Sequence, residues 1–111
     1  MQGRHFLIAA CLASAASSAF ALQGDPEAAK TKMSMCVGCH GIPGYRTTFP
    51  DVYPVPKLGG QHAAYLVRAL QAYRDGERSH PTMRAIAASL TDQDMADLAA
   101  YYSAAAGGAT Q

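Results

Sequence analysis

The sequence predicts an all-α domain, and three observations carry that reading. Apolar residues recur at helical spacing in three separate stretches. Residues that start and stop helices bracket those stretches. No stretch alternates apolar and polar residues as a half-buried strand would. Segments rich in Pro and Gly separate the stretches, so the helices are few and short, and there is no internal repeat.

The first 21 residues read as a secretory leader and not as part of the fold. Arg4 and His5 give a basic start, residues 6–12 form an apolar run, and Ala19-Phe20-Ala21 is a small-x-small cleavage pattern. The run is far shorter than the roughly 20 residues a membrane span needs. A rival reading takes Ile8-Ala9-Ala10-Cys11 as a lipoprotein box, but only ten residues precede that cysteine, short for such a signal. Cleavage after Ala21 is therefore expected. It leaves residues 22–111 as one domain, exported to the periplasm. With Arg4 gone, eight basic side chains face eight acidic ones. There is no basic run for nucleic acid and no amphipathic or polybasic segment for a membrane surface, so neither is expected as a partner.

The mature chain opens on Asp25-Pro26-Glu27, where Asp25 can cap, Pro26 suits the first helical position and Glu27 complements the dipole. The spacing of Ala29, Met33 and Cys36 predicts one helix over residues 26 to 36. Residues 41–55 read as a loop, broken by Pro43, Gly44, Pro50 and Pro54 and carrying Tyr45, Phe49 and Tyr53. Those aromatics either pack over the core or form a docking surface. A second helix is predicted over residues 61–75, with Ala63, Leu66, Val67, Leu70 and Tyr73 as its stripe and Gly76 as its stop. Residues 77–82 read as a connector, and residues 84–89 as one or two turns. Thr91 caps the last helix, followed by Asp92 and Asp94. Met95, Leu98, Ala99 and Tyr102 form its stripe, and Gly107-Gly108 ends it.

One motif carries chemistry. Cys36-Val37-Gly38-Cys39-His40 places two thiols three residues apart with an imidazole directly after, the pattern for attaching a c-type haem. On a helical turn, residues i and i+3 share a face. Both thiols can then reach the two vinyl groups of one porphyrin, and His40 is carried under the ring as an axial ligand. With Cys11 removed, the haem uses both remaining cysteines. Reading the pair as a redox dithiol lacks the βαβ context. A four-ligand zinc site would have only His62 and His80 beside the motif.

The second axial position needs a donor, and Met33, Met35, Met83, Met95, His62 and His80 are the candidates. Met33 and Met35 lead into the attachment site. Met95 lies in a core stripe, and His62 opens a helix. Met83, in a loop after Pro81 and between the second and last helices, is the favoured donor, with His80 next. A core methionine filling a gap is the plainer reading of Met83. Thioether ligation raises the potential relative to two histidines, and two filled axial positions favour electron transfer over catalysis at the iron.

With these residues in hand, the mature chain resembles a class I c-type cytochrome, especially the small bacterial periplasmic monohaem members and single halves of the dihaem ones. Cys36-x-x-Cys39-His40 matches the attachment motif, Pro56-Lys57-Leu58-Gly59-Gly60 the segment after the haem loop, and Gln61-His62-Ala63-Ala64-Tyr65-Leu66 the start of the middle helix. Met83, Leu90-Thr91-Asp92-Gln93-Asp94 and Asp97-Leu98-Ala99-Ala100-Tyr101-Tyr102 resemble the distal loop and C-terminal helix. The resemblance implies a cytochrome c fold, with three main helices and loops wrapped around one haem c held by Cys36 and Cys39. It implies His40 and Met83 as axial ligands, and a Pro56 carbonyl accepting from His40 Nδ1–H. It also implies Ala28 or Ala29 packing against Tyr101 where the first and last helices cross. The chain departs from some relatives in having no tryptophan for a haem propionate, a task for which Tyr53, Tyr65 and Arg68 are candidates. It also lacks a lysine-rich docking surface. The expected activity is one-electron transfer between transient redox partners by a monomeric, non-enzymatic carrier. The alternative is a dedicated haem subunit of a periplasmic dehydrogenase or terminal oxidase.

Overall fold

A computed structural model describes residues 21–48 and 52–104. The expected leader apart from Ala21, the loop residue Phe49 and the Gly107-Gly108 stop lie outside these residues. Among the described residues five helices follow in order: α1 (Pro26–Ala29), α2 (Ser34–His40), α3 (Ala63–Asp75), α4 (Pro81–Ala88) and α5 (Asp92–Ala104). Two strands of two residues each, β1 (Arg46–Thr47) and β2 (Tyr53–Pro54), lie between α2 and α3. The all-α expectation holds.

Helix α5 organises the molecule, packing on α1 and α3, while α4 packs on α3. Its expected stripe of Met95, Leu98, Ala99 and Tyr102 is buried, and Met95 is wholly inaccessible. Burying each of the larger side chains contributes roughly 1.5–3 kcal/mol. Ala29 of α1, Leu66 of α3, Ala87 of α4 and Leu90 complete the core. The start of α5 is fixed by reciprocal bonds. Thr91 Oγ1 accepts from the Asp94 N–H at 3.1 Å, and Asp94 Oδ2 accepts from the Thr91 N–H at 2.8 Å.

The α1–α5 seam carries a polar clasp that the stripe pattern did not reveal. Asp97 sits on α5 among the core residues, only 2% exposed. Its carboxylate accepts from the Asp25 N–H, the Gln93 amide and the Lys32 ammonium, each at 2.8 Å. Lys32 also reaches Asp94 Oδ1 at 2.6 Å. The bond from Lys32 first, then that from the Asp25 N–H, holds the Asp97 carboxyl below the usual carboxylate range. Asp94 is lowered to about 2, again with Lys32 as the main cause. Gly24 lies close against α5, where a Cβ would run into the Ala96 carbonyl and the Ala100 methyl. In the expected α1–α5 crossing, Ala29 is the buried alanine, and Tyr101 packs on the core cluster that contains it.

Three elements differ from the sequence reading. The helix expected over residues 26 to 36 is two helices. Between them the Ala29 carbonyl takes both the Lys32 and Met33 N–H groups, at 2.9 and 3.0 Å, and the Thr31 hydroxyl bonds back to the Ala28 carbonyl at 2.9 Å. These local bonds tighten the turn that delivers Lys32 to α5. The connector and short turns expected after residue 77 contain a full helix, α4. His80 caps it by accepting from the Met83 N–H at 3.3 Å, and Pro81 takes the first position, which suits it. Met83 therefore lies in the first turn of a helix and not in a loop. The 41–55 loop closes into a two-residue antiparallel ladder pairing Arg46 with Pro54 and Thr47 with Tyr53. A ladder this short leaves no alternation to read. Helix α3 matches its expected stripe, except that Ala63 is exposed. It ends at Gly76, whose φ of 83° is left-handed.

Candidate functional site

The attachment motif occupies one helix. Cys36, Cys39 and His40 all lie on α2, so the i, i+3 spacing of the thiols is realised on a single helical face. All three line one cavity of about 210 Å³, together with Pro56, Met83 and Tyr102. Leu66 and Leu70 of α3 and Leu98 of α5 give it apolar walls. Both cysteines are half-buried free thiols. Burial pushes the Cys36 thiol up, which keeps it protonated and ill suited to thiolate redox chemistry. Among the described residues, no group of three or more His, Cys, Asp and Glu side chains could hold a metal ion, so the zinc reading has no ligand set.

The two histidines on the cavity wall differ in what their hydrogen bonds leave free. His40 Nδ1 lies 2.7 Å from the Pro56 carbonyl oxygen. A carbonyl only accepts, so Nδ1 carries the hydrogen and Nε2 keeps its lone pair for a metal. His80 has the reverse arrangement. Its Nδ1 accepts from the Met83 N–H, which in the neutral ring puts the hydrogen on Nε2 and leaves no lone pair for iron. Tyr53 packs against the His80 ring, with centroids 5.4 Å apart.

Among the methionines, Met83 and Met35 line the cavity. The Met35 sulfur lies 4.0 Å from the Ser89 hydroxyl. Met95 is sealed in the core, and Met33 packs against it. His62 stands at the N-terminal boundary of α3 without a side-chain capping bond and is exposed. Of the side chains named for a propionate, Tyr53 and Tyr65 line the cavity and Arg68 does not. Lys57 and Arg78 also line it, two cations that no local pattern assigns to a propionate. The Arg78 guanidinium is held 4.6 Å from the Tyr73 ring centroid, a placement that depends on how the chain turns after α3.

This set fits an iron porphyrin: two thiols on one face, an imidazole with a defined free nitrogen, a thioether on another helix, apolar walls and two cations. A buried phenol, Tyr102 Oη, also lacks a hydrogen-bond partner among the described residues.

Comparison with known proteins agrees. The Cytochrome c family model matches residues 27–104. Cytochrome c-554(548) of Halomonas halodenitrificans is 43% identical over 83 residues, covering 72% of this chain and 95% of that protein. Cytochrome c4 of Thiocapsa roseopersicina is 41% identical over 71% of this chain, and that of Pseudomonas aeruginosa 38% identical over 71%. The chain spans only 39% and 37% of those two proteins. The crystal structure of reduced recombinant cytochrome c4 from Pseudomonas stutzeri superposes with a TM-score of 0.54 at 31% identity, over 76% of this chain and 51% of that one. Members of this family carry covalently bound haem c and transfer electrons. The chain belongs to the cytochrome c family, as a class I c-type cytochrome similar to a single half of cytochrome c4.

Proposed function

We propose that this chain is a periplasmic monohaem electron carrier. One haem c is attached through Cys36 and Cys39, with His40 and Met83 as its axial ligands. Residues 1–21 are the leader, and residues 22–111 are the mature domain, which works as a monomer with transient redox partners. When bound, the haem supplies a one-electron ferric/ferrous couple. The polypeptide orients the ligands, excludes water and sets the potential.

The observation that carries this reading is the 2.7 Å contact between His40 Nδ1 and the Pro56 carbonyl. It supports a histidine already committed to Nε2 ligation, on the same helix as the two thiols. The capping bond on His80 supports Met83, and not His80, as the second donor. A thioether there favours the ferrous state.

A second reading has one specific support. The thiosulfate dehydrogenase electron acceptor of Stutzerimonas stutzeri is 37% identical over 59% of this chain. That name fits a haem protein dedicated to one dehydrogenase. Copurification with a single enzyme would favour it over a free shuttle.

The ligand assignment is tested by Met83→Ala. The ferric wild-type protein should show the weak far-red band that marks a methionine–iron bond in this family. The variant should lose the band, and its potential should fall. Persistence of the band would move the ligand to another residue.

A further inference from the structure

Tyr102 occupies a stripe position on α5 that any apolar side chain of similar size could fill. It is 4% exposed, it lines the cavity beside Cys36, and its hydroxyl has no hydrogen-bond partner among the described residues. Leaving a hydroxyl buried and unpaired is costly, so the phenol calls for a partner, and the Cys36 sulfur stands beside it short of full bonding geometry. Burial above all, and then the nearby Cys36 sulfur, pushes the Tyr102 phenol up, which keeps it a donor.

The chemistry of attachment supplies that partner. A thiol sulfur accepts weakly but also carries its own hydrogen, so it can turn that hydrogen to the phenol instead of a lone pair. A thioether has no S–H and keeps its sulfur lone pairs. We propose that the Tyr102 hydroxyl donates to the Cys36 sulfur once that sulfur is a haem thioether, and that this bond tunes the reduction potential. The inference rests on Cys36 being an attachment site. A donor at the porphyrin periphery stabilises the more electron-rich state, so the bond favours ferrous haem. Tyr102 is thus a positioning and tuning residue without contact to the iron.

The test is Tyr102→Phe in the haem-loaded protein, with Tyr101→Phe as control. Tyr101 is partly exposed and meets the Tyr102 ring edge-on at 5.2 Å. Tyr102→Phe should load haem and keep its helicity. Its ferrous/ferric equilibrium constant should fall about threefold, since only part of a net hydrogen bond differs between oxidation states. The resonance Raman C–S stretch of the thioether should shift in heavy water in the wild-type protein, and not in Tyr102→Phe. Tyr101→Phe should match the wild type in both readouts. An unchanged equilibrium constant, or a wild-type C–S band indifferent to heavy water, overturns the proposal. If Tyr102→Phe fails to load haem, the wild-type isotope shift alone decides. Wild-type protein without covalent haem would instead refute the attachment reading.

Discussion

The seam between α1 and α5 and the wall of the cavity use buried polar groups to opposite ends. In the seam, polar groups face one another. Asp97 is almost wholly buried, yet it accepts from three donors of the same chain. On the cavity wall, two thiols are free, a histidine is fixed so as to free one nitrogen, and a buried phenol has no partner among the described residues. The seam is closed by the polypeptide, whereas the wall presents donors to a group that is not polypeptide. A small domain of this kind builds a modest core, and in the proposed reading the large apolar plate of a haem extends it.

Breaking the seam should have the largest effect on stability. Asp97→Ala removes the acceptor for three donors and should cost about 2 kcal/mol, read as a lower urea midpoint of the haem-loaded protein. The far-red haem spectrum should not change, because the clasp touches none of the proposed ligands. A changed spectrum would show that seam and wall are one unit.

Acid sharpens the comparison next. Asp94 and Asp97 are both held below the ordinary carboxylate value of 3.8, Asp94 to about 2. Their bonding stabilises the fold fully above that ordinary value and is lost as pH falls toward about 2. Lys32 is shifted the other way, raised first by Asp94 and then by Asp97. Its share is present at neutral pH and is lost only as pH rises past its raised value. The share of stability these carboxylates carry should therefore be flat from neutral down to about pH 4 and then drop. Lys32→Met should flatten that drop, and a drop as steep as in the parent would place the acid-sensitive groups elsewhere.

The smallest effect belongs to the rim. Arg74 bonds Asp92 at 2.6 Å, but the two side chains are 31% and 56% exposed. Arg74→Ala should leave the thermal midpoint within about 2 °C of the parent.

What the sequence made legible was set by local rules. The cap at Thr91, the stop at Gly76 and the stripes of α3 and α5 depend on neighbours within a few residues, and so does the attachment motif. What stayed hidden depends on partners distant in the chain. Asp97 reads as a solvated acid until Lys32 and Asp25 are brought to it. Nothing near Gly24 in the chain marks it until α5 lies against it. The break after Ala29 and the helix around Met83 were missed for another reason. Thr31 and Pro81 are ambiguous letters, since a threonine can bend a helix and a proline can start one. The same proline held the clue to Met83, because His80-Pro81 is a cap followed by a first helical residue. Lys57 and Arg78 gave no local signal at all.

Covalent attachment of haem at α2 is the central proposal, and one measurement meets it directly. Protein matured in a host that attaches haem is denatured, and its intact mass and haem stain are compared with those of Cys36→Ser/Cys39→Ser. The wild type should carry the mass of one haem and stain after denaturation, and the double variant should do neither. A colourless wild type, or a double variant that still stains, would contradict the account.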